Sequence, residues 1–370
     1  MSAEKRIPLA APTMKGNEKT YVLDCLESNW ISSAGGYVSR FESAFGDFCG
    51  TRFAVASCNG TAALHLGLLA LGVGPGDDVI VPTLTFVASA NAVSYCGATP
   101  VFVDSEPGTW NLDSAKLEEL ITPRTKAIMA VHLYGQPAEM DSILSLAEAR
   151  NLSVIEDSAQ AHGARYHGRT TGSIGDVASF SLYGNKVLTS GEGGVVTTQD
   201  EEIDLRARLF RGQGMDITRR YWFPVIGYNY RMTNLTAAIG LGQVESAADH
   251  LSRRSEIYDW YRECLANEPR VRWQRALPGS TPSHWLVTVV LDGDEEIERD
   301  TVMSRLMDKG IETRPVFYPM HTLPPYRSGT SRAFPVADEI SQKGISLPTW
   351  EGLTRNDVDR VCDELRTAIG

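Results

Sequence analysis

The chain has 370 residues, of which 42% are hydrophobic and 22% charged, and this composition is ordinary for a globular protein of about two domains. The formal net charge of −11 argues against a surface for nucleic acid or an anionic membrane, although local arginines can still bind an anionic small molecule. No apolar run approaches the roughly 18 residues of a membrane span, and the six scattered cysteines indicate reduced thiols in a cytoplasmic enzyme.

Two helices are predicted within the first fifty residues, at positions 17–26 and around 38–48. Apolar residues in the second helix recur at spacings of three and four, so one face of that helix is expected to pack on the core. A turn-rich loop that contains Trp30 joins the two.

From residue 53 onward, strand-like and helix-like segments alternate. Such alternation predicts a largely parallel sheet covered on both faces by helices, with ligands bound at the carboxyl ends of the strands. The predicted strands lie at 54–56, 79–81, 101–104, 127–132 and 152–156, and the predicted helices at 62–71, 88–95, 114–120 and 140–149.

Polar residues follow two of these predicted strands. Asn59 or Thr61 suits the N-cap of the helix after the first strand, where free backbone N–H groups would bind an anion; a plain capped helix is the alternative. Asp157 follows the strand at 152–156. A carboxylate there suits a protonated pyridine nitrogen, whereas a helix cap or a turn residue is the plainer interpretation.

Lys186 lies between two strand-like runs and shortly before a Gly-Glu-Gly-Gly turn at 191–194. A lysine removed from water has a lowered pKa, because burial disfavours the charged form, and it becomes a nucleophile toward carbonyl groups. We therefore predict that Lys186 forms a covalent bond with the aldehyde of pyridoxal 5′-phosphate (PLP). The alternative is a structural lysine at the surface.

A loop at 219–223 and the segment 227–233 combine basic and aromatic residues, with three arginines within thirteen positions. This pattern suits a diphosphate and a stacked base. A loop that contacts another subunit is the alternative, and the two interpretations are compatible.

The pattern changes near residue 247, where a long polar helix leads into an α+β section. We predict a large domain at 1–247, with the N-terminal segment included, and a smaller C-terminal domain at 248–370. The last helix begins with a capping pair, Thr354 and Asp357.

Five segments together resemble the DegT-type sugar-nucleotide aminotransferase family of fold-type-I PLP enzymes, and the resemblance covers essentially the whole chain. They lie at 57–64, 82–86, 156–161, 179–194 and 227–233. The resemblance implies an α/β fold: a large domain with a mostly parallel central sheet and a smaller C-terminal α+β domain.

The family pattern implies roles for individual residues. Lys186 would bind PLP covalently and act as the general acid–base, and Asp157 would pair with the pyridine nitrogen. The remaining cofactor contacts would be stacking by Phe86, a ring-hydroxyl contact from Gln160, and phosphate contacts from Gly60, Thr61, Ser181 and Asn229 of the partner subunit. The substrate contacts would be Trp30, Ile31, Ser32, Ser33, Arg219, Arg231, Tyr318 and His321.

The implied activity is transfer of the amino group of L-glutamate to a keto sugar of a nucleotide sugar, by a homodimer with shared active sites. Related dehydratases carry histidine where this chain has Lys186, so the lysine favours transamination. The family match favours a GDP-linked 4-keto-6-deoxy sugar aminated at C4, with UDP- or dTDP-linked sugars as the alternative. The roles of Gln160 and His162 stay open.

Two functions from other classes fit the sequence less well. A PLP-binding regulator predicts a fused DNA-binding helical module, for which no segment is left over. A nicotinamide-dependent oxidoreductase predicts a G-x-G-x-x-G turn after the first strand, which residues 57–61 do not supply. The seven histidines show no H-E-x-x-H spacing, so we expect no metal ion.

Overall fold

The computed structural model describes residues 6–292, 298–327 and 332–370. Its centre is a seven-stranded sheet that places the carboxyl ends of its parallel strands along one edge. The strands are β1 (Phe53–Ser57), β2 (Asp78–Pro82), β3 (Thr99–Val103), β4 (Thr125–Val131), β5 (Ser153–Asp157), β8 (Val177–Ser181) and β9 (Gly194–Thr198), with the short strands β6 (Arg165–Tyr166) and β7 (Arg169–Thr170) outside it.

The strand order is β1-β9-β8-β5-β4-β2-β3. Only β9 runs antiparallel to its neighbours β1 and β8 in this sheet, so the predicted parallel architecture is confirmed. In the register, Asp157 of β5 lies opposite Val131 of β4 and Ser179 of β8. The carboxyl ends of β5 and β8 are therefore nearly level, two residues apart.

Helices pack against the central sheet. The first of them to follow a strand, α3 (Gly60–Ala70), buries nearly every residue because it contacts β8, β9 and two other helices. Its N-terminus points to the carboxyl edge of the sheet, since it directly follows β1. The helices up to residue 264 are α1 (Glu18–Glu27), α2 (Gly36–Cys49), α3 (Gly60–Ala70), α4 (Ala88–Tyr95), α5 (Met140–Arg150), α6 (Glu201–Arg211), α7 (Asn234–Glu245) and α8 (Ala247–Cys264).

The prediction of one continuous helix at 114–120 is wrong. This segment forms two 3₁₀ turns, Ser114–Lys116 and Glu118–Leu120, and Ile121 is already extended. Pro123 prevents a longer helix from continuing past this point, because a proline disfavours the helical conformation for the residue before it, here Thr122.

The C-terminal part contains a second sheet, antiparallel and four-stranded. Its strands lie in the order β10 (Val271–Trp273), β12 (Val287–Leu291), β14 (Gly344–Leu347) and β13 (Arg314–Pro315). Helices α8, α9 (Arg299–Asp308) and α11 (Arg355–Ile369) cover it and share a core cluster with it. Thr354 and Asp357 form the predicted capping box of α11. The other elements of this part are α10 (Pro335–Lys343) and β11 (Ser280–Thr281), and β11 pairs with β6 in a separate small sheet.

The first described residues pack on this C-terminal part. Ile7 pairs with Ile311, and the carbonyl of Leu9 accepts a 2.8 Å hydrogen bond from the N–H of Thr349. The chain therefore contacts the C-terminal part before it enters the large sheet, and the division at residue 247 stays a prediction. Within the described ranges, no helix is both long and apolar enough to cross a bilayer.

Candidate active site

A cavity with a volume of about 650 Å³ opens at the carboxyl ends of β5 and β8. Its walls come from the start of α3, the strand ends, the loop between β8 and β9, and the C-terminal part. Among its lining residues are most of the predicted cofactor contacts, namely Gly60, Thr61, Phe86, Asp157, Gln160, Ser181 and Lys186.

The start of α3 forms one end of the cavity. Of the two predicted N-cap candidates, Asn59 is the cap, since its side chain accepts a 2.8 Å hydrogen bond from the N–H of Ala62. A Cβ atom at Gly60 would lie only 2.6 Å from Cβ of Ser181. The glycine thus allows a close approach of helix and strand. Backbone N–H groups at such a helix start suit a phosphate.

Asp157 supplies a buried carboxylate, with 5% of the residue exposed. Its Oδ2 accepts a 2.7 Å hydrogen bond from the hydroxyl of Ser89, and its Oδ1 accepts one of 3.1 Å from the N–H of Ala159. Burial raises the pKa of Asp157, while these hydrogen bonds and the charge of Lys186 oppose the rise. A cation placed beside this carboxylate would keep it ionised.

The preceding residue, Glu156, has a different environment. Its carboxylate accepts hydrogen bonds from Nε2 of His132 at 2.9 Å and from backbone N–H groups at Gly172, Ile174 and Gly175. Burial acts to raise the pKa of Glu156, but these donors hold it below its usual value. Glu156 is therefore a saturated structural carboxylate, and Asp157 is the one that lines the cavity.

Lys186 is half-buried in the loop between β8 and β9, and its side chain lines the cavity. Loss of water around the ammonium group lowers the pKa of Lys186 to about 7, and the carboxylate of Asp157 opposes this shift. At neutral pH a large share of this amine is therefore unprotonated, as a nucleophile and a proton-transfer group require.

An aromatic residue that the sequence analysis missed lies directly against this amine. Nζ of Lys186 is 3.8 Å from the centroid of the Trp285 ring, and the indole N–H donates a 2.7 Å hydrogen bond to the carbonyl of Asn185. Phe86, half exposed at the cavity, contacts Phe317 with ring centroids 5.7 Å apart.

Gln160 also lines the cavity, and its Oε1 accepts a 2.8 Å hydrogen bond from the N–H of Tyr134. Tyr134 has a φ of 55°, a left-handed conformation that is unusual for a bulky residue. The hydrogen bond fixes the orientation of the Gln160 amide and ties it to the strained backbone at Tyr134.

The other predicted site residues do not line this cavity of the single chain. They are Trp30, Ile31, Ser32, Ser33, Arg219, Asn229, Arg231, Tyr318 and His321. Trp30 and Tyr318 are each 57% exposed. His321 contacts the protein through both ring nitrogens, with Thr83 at 2.8 Å and Asp338 at 3.1 Å. Their assigned roles stay predictions.

Other lining residues had no place among the predictions, and several come from distant parts of the chain. They are Tyr95, Tyr183, Asn185, Glu192, Tyr230, Trp285, Arg314 and Phe317. Arg314 and Phe317 lie close in sequence to two predicted substrate contacts, Tyr318 and His321. Trp285 offered no such signal, because it is the first residue of an ordinary apolar run.

The residues present fit PLP. Helix-start N–H groups beside a glycine suit its phosphate, the buried Asp157 suits its protonated pyridine nitrogen, and the Lys186 amine suits its aldehyde. A parallel sheet with this cavity at its carboxyl edge and a smaller C-terminal sheet define a fold-type-I PLP-dependent enzyme.

The chain belongs to the DegT/DnrJ/EryC1/StrS aminotransferase family, whose model matches residues 12–366. It is 53% identical to the GDP-perosamine synthase of Caulobacter vibrioides and 47% identical to that of Escherichia coli O157:H7, in each case over 98% of both chains. Among solved structures, it resembles Spr1654 of Streptococcus pneumoniae in its pyridoxamine-phosphate form, with a TM-score of 0.94, 30% identity and 98% of both chains covered.

These matches confirm the resemblance and the fold class predicted from the sequence. They also confirm the predicted enzyme class: the protein is a PLP-dependent sugar aminotransferase.

Proposed function

We propose that the enzyme transfers the amino group of L-glutamate to C4 of GDP-4-keto-6-deoxy-D-mannose and so forms GDP-perosamine. The observation that carries this proposal is the cavity around Lys186 and Asp157 in a chain that matches GDP-perosamine synthases over 98% of its length. We place the reaction in the cytoplasm, which agrees with the unpaired state of the cysteines.

Lys186 would hold the cofactor, with Gly60, Thr61 and Ser181 at its phosphate and Asp157 at its ring nitrogen. When bound, PLP supplies an aldehyde that bonds to amines and a ring that withdraws electrons from the neighbouring carbon. Phe86 and Gln160 would contact the ring from the cavity wall.

Lys186 would also move the protons. In the first half-reaction its Nζ would accept the proton from the α-carbon of glutamate and pass it to the cofactor. In the second it would carry a proton back from the cofactor to the sugar carbon that receives the amine. A pKa of about 7 suits a group that must both accept and donate near neutral pH.

Arg314 suits the carboxylates of the amino donor. It lines the same cavity as Lys186, and its side chain is 56% exposed. Its nearest carboxylate, Glu312, is 3.7 Å away, which leaves the guanidinium able to form a bidentate pair with a ligand. We therefore assign glutamate binding to Arg314.

We also propose a homodimer with shared active sites. The segment at 217–226 exposes large apolar side chains, including Ile217 at 75%, Tyr221 at 72% and Ile226 at 89%. A patch of this kind on one face suits a second copy of the chain. In such a dimer the exposed residues Asn229 and Arg219, from the same region, would contact the ligands in the partner's cavity.

A substrate panel tests the proposal. GDP-, UDP- and dTDP-linked 4-keto-6-deoxyhexoses are incubated with glutamate, and the aminated product is detected by mass and its position by NMR. We expect the GDP sugar to be preferred, with the amine at C4. Preference for a UDP or dTDP sugar would contradict the substrate assignment while leaving the reaction class intact.

The same assay on Lys186→Ala tests the chemistry. We expect turnover to fall by about 10² to 10⁴-fold. The control is Lys126→Ala, which replaces an exposed lysine of β4 and should retain activity. Substantial transaminase activity in Lys186→Ala would contradict the role of Lys186.

A further inference from the structure

Trp285 makes two contacts with consecutive residues of the loop that carries the reactive lysine. Its ring face lies 3.8 Å from Nζ of Lys186, well within the roughly 6 Å at which a cation is attracted to an aromatic face. Its indole N–H donates a 2.7 Å hydrogen bond to the carbonyl of Asn185. One side chain thus contacts both the amine and the peptide next to it.

Trp285 is itself held in place. Its carbonyl accepts a 2.8 Å hydrogen bond from Nη1 of Arg254, a buried residue of α8 that also donates to the carbonyl of Thr349 at 2.6 Å. Its ring stacks on Tyr134, with centroids 5.9 Å apart and planes 12° apart. Because Trp285 is only 4% exposed, the indole is not able to turn away without losing its stack on Tyr134 and its hydrogen bond to Asn185.

The stack continues to the other side of the cavity. Tyr134 stacks in turn on Phe317, at 5.5 Å and 8°, and Phe317 contacts Phe86. The four rings therefore form an aromatic wall. It runs from Phe86, the proposed contact of the cofactor ring, to the Trp285 indole, which faces Nζ of Lys186.

Several charged or titratable groups face the amine from other elements. Asp157 at the end of β5 attracts its positive charge, and the buried His162 is coupled to it electrostatically. Glu192 in the glycine-rich turn and Arg314 on β13 line the same cavity. The ring face of Trp285, in contrast, carries no net charge. It attracts the ammonium form of Lys186 but does not accept a proton from it.

We propose that Trp285 is a positioning residue for the reaction: its ring face holds the protonated amine of Lys186 within the cavity while this lysine is not bonded to the cofactor, and its indole N–H fixes the loop backbone at Asn185. The inference rests on the role proposed above for Lys186. It explains how a long, flexible side chain stays at the reacting atoms when it is not bonded to the cofactor.

The ring contact is tested in the cofactor-free protein, with Trp285 replaced by tryptophans that carry one to three ring fluorine atoms. Fluorine weakens the attraction of the ring for a cation and keeps its shape, so folding is preserved. Competitive labelling with acetic anhydride at pH 5 to 10, followed by mass spectrometry of the Lys186 peptide, gives the pH midpoint of the amine. The other lysines serve as internal standards.

We expect the midpoint to fall stepwise with each fluorine, by roughly 0.4 to 1.5 pH units in total. The matched control is the same series at Trp273, whose ring lies 4.6 Å from the guanidinium of Arg262 and which does not line the cavity. A midpoint that does not move in the Trp285 series would overturn the proposal.

The hydrogen bond is tested with 3-benzothienylalanine at position 285, which keeps a bicyclic ring but has no N–H. We expect hydrogen–deuterium exchange at residues 183–191 to rise several-fold, and no change when the same residue replaces Trp273. Unchanged exchange would equally overturn the proposal. Both tests use the cofactor-free protein, so their failure is distinguishable from activity in Lys186→Ala, which would contradict the proposed function itself.

Discussion

The hydroxyl of Ser89 on α4 donates a 2.7 Å hydrogen bond to Oδ2 of Asp157 at the end of β5. Ser89 is itself 2.8 Å from the hydroxyl of Thr85, so two buried hydroxyls set the orientation of one carboxylate. This arrangement matters because Asp157 is the acidic residue proposed to face the pyridine ring, and its hydrogen bonds favour the ionised form.

Replacing Ser89 by alanine should weaken cofactor binding. The change removes one hydrogen bond to a charged acceptor, so the pKa of Asp157 rises further and its pairing with a cationic ring weakens. We expect the Kd for PLP, measured by absorbance titration of the cofactor-free protein, to rise about tenfold. The control is Ser94→Ala on the same helix, because the Ser94 hydroxyl donates a 3.2 Å hydrogen bond to the backbone carbonyl of Ala90. This variant should bind PLP with the affinity of the wild type.

Adjacent carboxylates of β5 should behave in opposite ways. Glu156→Gln disrupts a buried set of hydrogen bonds with His132 and three backbone N–H groups, so we expect a loss of roughly 3 to 5 kcal/mol in the free energy of unfolding. Asp157→Asn should change stability much less and weaken PLP binding strongly. Urea denaturation and PLP titration of both variants separate the two effects, and equal losses of stability would refute the division of roles.

Gly60→Ala should disturb the phosphate end of the cavity. The added Cβ would lie 2.6 Å from Cβ of Ser181, which forces helix and strand apart. We expect a loss of about 1 to 3 kcal/mol in stability and at least a tenfold weaker affinity for PLP, roughly 1.4 kcal/mol. Gly36→Ala is the matched control, because nothing lies within 4 Å of its Cβ position. Normal PLP affinity in Gly60→Ala would argue against a phosphate site there.

The sequence predicted much of the site because local patterns determine it. The helix at 88–95 and the capping pair at Thr354 and Asp357 follow from local preferences, and both are confirmed. A topological rule predicts that Asp157 and Lys186 meet in one cavity, since Asp157 ends β5, Lys186 follows β8, and these two strands prove to be adjacent.

The remaining parts of the site depend on tertiary contacts. Trp285 meets Asn185 across 100 residues of sequence, and no periodicity encodes that approach. Arg314 reaches the cavity only because β13 pairs with β14 in the C-terminal sheet. Residues proposed to act across a dimer, such as Asn229, are exposed in the single chain, so their partners lie outside any one copy.

Lys186 should make the stability of the cofactor-free protein depend on pH. Its pKa is lowered to about 7 in the folded chain, whereas an unfolded lysine titrates near 10.5. Between these two pH values the unfolded chain binds one more proton, so stability rises with pH in this window, and the cost of the buried charge is fully present below pH 7.

Lys186→Met removes the charge and keeps the length of the side chain. We therefore expect the variant to be more stable than the wild type at pH 6, by an amount on the order of a few kcal/mol, and the difference to shrink as the pH approaches 10. Urea denaturation of both proteins at pH 6, 8 and 9.5 measures that difference, and a value that stays constant with pH would mean that the amine keeps its ordinary pKa and is not desolvated.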